Sequence, residues 1–198
     1  MARKKEKRQM RITEKDKAFL QVLSKTGRCF SEDAETYFNI KKSRLNQMIH
    51  NGYIQREAIM VNRKASHCYR LTPKAIRWIG RNIPTVNKLY KPAKAGTSHD
   101  IVLFRELASK PRWQQDIAMT EKDIIGKYGT FGSFSPPDLY IPIHTRYEVE
   151  TGITVTTPHE IIEVVTNNYS SAEIEAKVDY ASYFLGTEKG GITFIETN

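Results

Sequence analysis

The sequence has little cysteine and no long hydrophobic run. Among its 198 residues only Cys29 and Cys68 are cysteines, and their spacing indicates neither a zinc site nor a disulfide framework. No apolar stretch is long enough to span a bilayer, and the N-terminal MARKKEKRQMR lacks the apolar segment of a signal peptide. We therefore expect a reduced, cytoplasmic protein with no membrane partner.

Acidic residues are scarce in the first half of the chain only. Residues 1–94 contain 23 Lys and Arg against 7 Asp and Glu, a net charge of +16. Residues 95–198 contain 8 against 15, a net charge of −7. Such an asymmetry is typical of two domains with different partners, and the basic half indicates a polyanion such as nucleic acid.

Composition and turn residues divide the sequence into four segments. The N-terminal arm, with Arg3, Lys4 and Lys5, is expected to be disordered when free and suited to a phosphate backbone or a minor groove. The stretch PTVNKLYKPAKAGTS is rich in Pro, Gly and Lys, which predicts a linker. The predicted segments are the arm 1–12, a first domain 13–84, the linker 85–97 and a second domain 98–198.

Capping residues predict three short helices in the first domain. Thr13 and Asp16 form a capping box at the start of a helix over 13–25. Ser31 is expected to cap a second helix that ends at Asn39, with Ala34, Tyr37 and Phe38 as its buried stripe. A third helix is predicted over 41–51, with Gly52 in the left-handed conformation after it.

A hairpin and a fourth helix follow. Residues 53–61 and 66–71 are rich in β-branched and aromatic residues, and Asn62, Arg63 and Lys64 form the expected hairpin tip. Thr72 and Pro73 then begin a helix, as a cap followed by proline at the first helical position. Three helices, a hairpin and a helix are the layout of a winged helix-turn-helix domain.

The third predicted helix carries a polar face. Ser43, Asn46, Gln47 and His50 lie at helical spacing, so their hydrogen-bonding side chains share one side. These side chains suit the base edges of a major groove, and basic residues nearby suit phosphates. The sequence therefore predicts binding of double-stranded DNA. The basic residues concerned are Lys41, Lys42 and Arg44 on the helix and Arg63 and Lys64 on the hairpin.

The second half predicts an α/β sandwich, which makes the whole chain α+β. Its central element is 160–165, a nearly continuous apolar run expected to be a strand buried on both faces. The other predicted elements are a helix capped by Ser98, a helix over 120–128 capped by Thr120, a strand over 138–143, a hairpin of 147–150 and 153–157, a helix over 172–185 capped by Ser170 or Ser171, and a strand over 192–195.

Three acids in this half could support chemistry. Asp138 follows two prolines, Glu163 lies inside the apolar strand, and Glu106 lies on the opening helix. Two carboxylates on adjacent strands could hold Mg²⁺, which would activate water against a phosphodiester. In the alternative, Asp138 caps a turn, Glu106 is solvated, and Glu163 has a protein partner.

The sequence PPD before a strand, followed by EVV and a helix, resembles the PD-(D/E)XK nuclease superfamily. This resemblance implies Asp138 and Glu163 as metal ligands and Glu106 as a further catalytic acid. The position of the usual catalytic lysine is occupied by Val165, so Lys177 on the following helix is the candidate to replace it.

The whole chain resembles the replication-relaxation family of plasmids and mobile elements. The resemblance is carried by His99-Asp100, Trp113, Pro137-Asp138, Glu163-Val164, Lys177 and Tyr180 or Tyr183. It implies a sequence-specific DNA-binding protein of replication, mobilisation or transcriptional control, with a degenerate nuclease-like domain. Two alternatives remain open, a Mg²⁺-dependent endonuclease and an adaptor that docks a relaxase or replication initiator. A homodimer is open as well, because winged-helix proteins often act as dimers, although the sequence contains no coiled-coil heptad or other dimerisation signature.

Overall fold

The computed structural model describes residues 10–61, 64–86, 88–92, 96–188 and 191–197. These residues form a mixed α+β fold with small sheets, a two-stranded hairpin in each half and one four-stranded sheet. The predicted order of three helices, a hairpin and a helix in the first half is confirmed.

The first helix, α1 (Glu14–Thr26), begins at the predicted capping box. The Thr13 amide donates to the Asp16 carboxylate at 2.7 Å, and the Asp16 amide donates to the Thr13 hydroxyl at 3.3 Å. These bonds satisfy amides that have no partner inside a helix. Gly27 ends the helix with a φ of 96°, where a side chain would be strained.

The second helix, α2 (Ser31–Phe38), differs from expectation at its start. Phe30 is the N-cap and Ser31 is already helical, because the Asp33 carboxylate accepts from the Phe30 amide at 2.9 Å. The predicted cap at Ser31 is therefore wrong. The helix ends at Asn39 as predicted, and Asn39 adopts the left-handed conformation, which was not predicted. Tyr37 is more than one-third exposed and does not belong to the predicted buried stripe.

The third helix, α3 (Lys42–His50), ends in the predicted manner. Gly52 has a φ of 72°, its amide donates to the carbonyl of Ile49 and the Tyr53 amide donates to that of Met48, both at 2.9 Å. This pair of bonds is a Schellman motif. The chain then turns directly into the hairpin of β1 (Ile54–Val61) and β2 (Lys64–Leu71), followed by α4 (Pro73–Asn82).

The second half contains the predicted elements in the predicted order with shifted bounds, together with a short helix over 112–117 and a short strand over 119–120 that were not predicted. The opening helix begins at Thr97 with Gly96 as its N-cap, so the predicted cap at Ser98 is wrong. The strand after Asp138 ends at Ile141, because Pro142 has no amide hydrogen to continue the ladder. The elements are α5 (Thr97–Ser109), α6 (Arg112–Ile117), β3 (Met119–Thr120), α7 (Glu121–Tyr128), β4 (Leu139–Ile141), β5 (His144–Glu148), β6 (Ile153–Thr157), β7 (Glu160–Val165), α8 (Ser171–Phe184) and β8 (Ile192–Glu196).

The four-stranded sheet has the order β3-β4-β7-β8, with β7 antiparallel to β4 and parallel to β8. Side chains alternate across β7, so Ile162 and Val164 join the core that contains α1 and α5. Ile161 faces the opposite way, into a cluster with α7 and α8. The sheet thus lies between two helical layers, and the predicted central strand is confirmed.

One hydrophobic cluster extends across both halves of the chain. Phe19 of α1, Phe38 of α2 and Phe104 of α5 meet edge to face, with ring centroids 5.8–6.1 Å apart. Within the predicted linker, Val86 is buried and the Tyr90 amide donates to the Ser24 carbonyl at 3.0 Å. The two halves therefore share a packed core, while their division into domains stays a prediction.

Among the described residues, no helix combines the length and apolar character needed to cross a bilayer.

Candidate functional site

The polar residues predicted on the third helix share an exposed surface, here called the α3 face, formed by Ser43, Asn46, Gln47 and His50. All four side chains are exposed, whereas Leu45 and Met48 are fully buried against the core. The two buried side chains fix the rotation of α3 about its axis, so the α3 face points to solvent.

The basic residues at the start of α3 differ in whether their side chains are free to contact a partner. Lys41 and Lys42 are exposed. Arg44 is instead bound to the buried Asp16, with Nε 3.1 Å from Oδ1 and Nη2 2.5 Å from Oδ2. The bonds to Asp16 raise the pKa of Arg44 above its usual value. Burial would raise the pKa of Asp16, but the bonds from Arg44 and Thr13 outweigh it and lower that pKa.

Several predicted DNA-contacting residues lie outside the described residues, namely Arg3, Lys4, Lys5 and Arg63, as does the side chain of Lys64. The described chain begins beside the α3 face: the Met10 amide donates to Asn51 Oδ1 at 3.4 Å, and the Arg11 carbonyl accepts from Arg44 at 2.7 Å.

The second candidate site lies at the start of β4 and in the middle of β7, and the structure brings Asp138 and Glu163 together there. The Asp138 amide donates to Glu163 Oε2, and the Val164 amide donates to Asp138 Oδ2, each at 2.9 Å. Pairing of the two strands accounts for the contact, because Leu139 lies opposite Ile162. With Lys177 and His99, these acids form what we call the buried polar cluster.

Lys177 provides the counter-charge of Glu163. Its Nζ lies 2.9 Å from Glu163 Oε1 and donates to the Pro136 carbonyl at 2.7 Å. The Tyr169 hydroxyl also donates to Oε1, at 2.9 Å. Burial and the neighbouring Asp138 raise the pKa of Glu163 to about 7, and Lys177 and Tyr169 act against that shift. The predicted meeting of Asp138, Glu163 and Lys177 is therefore found.

His99, in the first turn of α5, contacts the same oxygen of Asp138 as the Val164 amide. Its Nε2 lies 2.9 Å from Asp138 Oδ2, and its Nδ1 lies 3.6 Å from Asp100 Oδ1. Burial would lower the pKa of His99, but the bonds to Asp100 and Asp138 outweigh it and raise the pKa to about 10. The imidazole is therefore a cation between two carboxylates at neutral pH.

A chain of ion pairs continues from the buried polar cluster to the hairpin of the first half. Asp100 is fully buried, and Arg28 donates to its Oδ2 at 2.6 Å. The Tyr90 hydroxyl donates to Asp100 Oδ1 at 2.8 Å. Arg28 also donates to Glu57 of β1 at 3.2 Å. The hairpin and the sheet of the second half are thus joined through charged side chains.

Glu106 is the one predicted acid that does not join the cluster. It is half-buried on α5, seven residues after His99, and a helix rises about 10 Å over that distance. Two helical turns therefore lie between Glu106 and His99, the residue of α5 that contacts Asp138, and a catalytic role for Glu106 stays a prediction.

The cluster does not fit the Mg²⁺ that a nuclease-like site would use. Both oxygens of Glu163 are bound by protein donors, and the Lys177 ammonium already neutralises this carboxylate. In the described part of the chain, no three His, Cys, Asp or Glu side chains are grouped so that they could hold a metal ion. A divalent cation needs free carboxylate oxygens, and three of the four oxygens of Asp138 and Glu163 are bound by protein donors.

The buried polar cluster lies at the base of an open cleft of about 790 Å³. Side chains of Asn167 and Asn168, after β7, and of Ser98, before His99, also line this cleft. Sequence reasoning missed His99, Asp100, Arg28 and Tyr169 as members of the network. The pair His99-Asp100 at the start of a helix was the signal for two of them.

The sequence matches no protein-family model, and no curated protein matches it.

Proposed function

We propose that the protein is a sequence-specific binder of double-stranded DNA, with the first half acting as a winged helix-turn-helix domain. The observation that carries the proposal is the α3 face, four exposed hydrogen-bonding side chains on a helix followed by a hairpin. A helix of this kind fits the major groove, where base edges present donors and acceptors.

Charge around the α3 face supports the same function. Lys41 and Lys42 are exposed at the start of α3, and residues 1–94 have a net charge of +16. Lysine contacts with phosphate supply affinity without sequence preference, and polar contacts in the groove supply discrimination. The first half offers both kinds of residue next to each other.

The buried polar cluster supports a structural role for the second half. Its carboxylates are bound by protein donors, so the endonuclease alternative gains no support from the geometry. By its resemblance to the replication-relaxation family, we assign the protein to replication, mobilisation or transcriptional control in a plasmid or mobile element. In the adaptor alternative, the second half, with its net charge of −7, would dock a basic relaxase or replication initiator.

Selection of bound duplexes from a random pool, with the full-length protein, tests the proposal. We expect enrichment of one sequence that binds about 10³-fold tighter than its scrambled version, with an affinity that falls linearly on a log–log plot against salt. Equal affinity for the enriched and scrambled duplexes would rule out sequence-specific binding.

The same duplexes incubated with EDTA, Mg²⁺ or Mn²⁺ test the endonuclease alternative. We expect intact DNA under all three conditions. Cleavage that requires metal and disappears in Asp138→Asn or Glu163→Gln would instead identify an enzyme.

A further inference from the structure

Arg44 lies at the edge of the α3 face, yet most of its donors are bound by acceptors of the protein itself. The guanidinium makes four hydrogen bonds, two to the Asp16 carboxylate, one to the Arg11 carbonyl and one to the Gln47 side chain. A guanidinium has five N–H groups, so at most one is left for a phosphate. Arg44 therefore has few free donors for the phosphate contact that was expected from the sequence.

Asp16 holds the guanidinium in a fixed plane. Asp16 is 1% exposed, and both of its carboxylate oxygens contact Arg44 side-on. One of these oxygens also accepts from the Thr13 amide in the capping box of α1. The orientation of Arg44 is thus set by the start of α1, because a bidentate pair fixes both distance and direction.

Arg44 in turn fixes the amide of Gln47. Its Nη1 donates to Gln47 Oε1 at 2.8 Å, one helical turn further on. A guanidinium can only donate, so the oxygen of the amide must face Arg44 and the nitrogen must face away. Gln47 is exposed, and no hydrogen bond joins its Nε2 to another described residue.

We propose that Arg44 is a positioning residue for base readout, which turns the Gln47 amide so that its N–H groups select base edges that accept hydrogen bonds. The inference rests on the proposed DNA binding. In the major groove, guanine offers two acceptors and thymine offers one, whereas cytosine offers only a donor. Recognition of adenine by both amide atoms requires Oε1 to accept from the base, and Oε1 is directed to Arg44. Guanine or thymine is therefore preferred opposite Gln47.

The first step of the test locates the base pair that Gln47 contacts. With the full-length protein and its selected duplex, affinities are measured for all four bases at each position, for the natural sequence and for Gln47→Ala. We expect Gln47→Ala to flatten the preference at one base pair, which in the natural sequence favours guanine or thymine by about tenfold over cytosine.

Gln47→Glu then tests the donor role directly. Both carboxylate oxygens are acceptors, so the preference at that base pair should shift to cytosine, whose amino group donates. Asn46→Asp is the matched control: it lowers overall affinity through the same charge change but should leave the preference at the Gln47 base pair intact. An unchanged preference in Gln47→Glu would overturn the proposal.

Arg44→Lys tests the positioning residue with its charge retained. A single ammonium cannot hold Asp16 side-on and the Gln47 oxygen together, so we expect the preference at the Gln47 base pair to weaken about fivefold or more, with equal affinity for scrambled DNA. Thermal unfolding confirms that the variant is folded. A preference retained in full would show that Arg44 does not act through Gln47.

The outcomes separate this inference from the proposed function. If the natural protein binds no duplex selectively, the proposed function itself fails. If it binds selectively and Gln47→Ala changes no position, DNA binding stands and the role of Gln47 and Arg44 is overturned.

Discussion

The α3 face and the buried polar cluster contain similar numbers of polar side chains but use them in opposite ways. On the α3 face the side chains are exposed and packing below them sets their direction. In the cluster Glu163 is fully buried, and its oxygens are bound by Lys177, Tyr169 and the Asp138 amide. Polar groups that keep their hydrogen-bonding capacity can recognise a partner, whereas groups that have lost it to neighbours stabilise the fold.

The largest effect is expected from breaking the cluster. Lys177→Met leaves Glu163 buried without its counter-ion, which should lower the free energy of unfolding by about 3–5 kcal/mol at pH 8. Because burial already raises the pKa of Glu163 to about 7, the carboxyl is neutral at pH 5 and the loss should be smaller there. Urea unfolding of the natural protein and the variant at pH 8 and pH 5 measures the loss of unfolding free energy at each pH.

The matched control for this variant is Lys127→Met, which removes an exposed lysine of α7. It should change the free energy of unfolding by no more than about 0.5 kcal/mol. Equal losses in the two variants would mean that Lys177 is not a buried counter-ion.

His99 predicts how the stability of the cluster depends on pH. Its pKa of about 10 in the folded protein exceeds the value of about 6.5 in an unfolded chain, so its contribution is complete below pH 6.5 and is lost as the pH rises through 10. Relative to His99→Gln, the natural protein should lose on the order of 3 kcal/mol of stability between pH 6 and 10. Denaturant unfolding of both proteins measures this difference.

The difference in unfolding free energy between the natural protein and His99→Gln excludes the contributions of other titrating groups, because these groups are present in both proteins. Burial lowers the pKa of Lys25 to about 8, and its loss of a proton acts in the opposite direction, but it does so in both proteins. His67→Gln, which replaces an exposed histidine of the hairpin, is the matched control. A difference that stays constant from pH 6 to 10 would contradict a charged His99.

A substitution on the α3 face should alter binding and leave folding intact. Replacing Asn46 and Gln47 with alanine should reduce discrimination between the selected and scrambled duplexes by about 2 kcal/mol, or roughly thirtyfold. Affinity for scrambled DNA should stay within about twofold. Fluorescence anisotropy at one salt concentration measures the affinities for the selected and the scrambled duplex. The control variant replaces Asn167 and Asn168 with alanine. Parallel losses for both duplexes would show that α3 is not the reading helix.

The smallest effect is expected from the exposed lysines of α3. Alanine at Lys41 and Lys42 should weaken all duplexes alike, about tenfold at low salt, and reduce the slope of log affinity against log salt by about two. Alanine at Lys122 and Lys127, two exposed lysines of α7, removes the same charge from the acidic half. If both pairs weaken binding equally, net charge rather than position governs the contact.

Local signals in the sequence predicted much of the fold. The capping box of Thr13 and Asp16 and the left-handed Gly52 depend on residues within a few positions, and both occur as expected. The buried strand 160–165 follows from its apolar run. The predicted caps Ser31 and Ser98 were wrong. In α2 the Asp33 carboxylate accepts from the Phe30 amide, which makes Phe30 the N-cap, and in α5 the N-cap is Gly96, two residues before Ser98.

The contacts of the two sites were less predictable. Arg44 reaches Asp16, 28 positions earlier, and Arg28 reaches Asp100, 72 positions later. Such pairs depend on how elements pack, which residue spacing along one helix does not specify. Glu163 was an exception, since a carboxylate inside an apolar strand requires a partner wherever that partner lies in the sequence.

The ion-pair chain from Glu57 through Arg28 and Asp100 to His99 limits how the first half of this protein could be exchanged by recombination during evolution. Recombination near residue 94 would exchange the helices and hairpin of the first half but leave their charged partners behind. A new first half would need an arginine at the position of Arg28, or it would leave the buried Asp100 with His99, 3.6 Å away, as its remaining cationic partner. The proposed DNA preference is therefore expected to diverge by point substitutions on α3 rather than by exchange of the whole half.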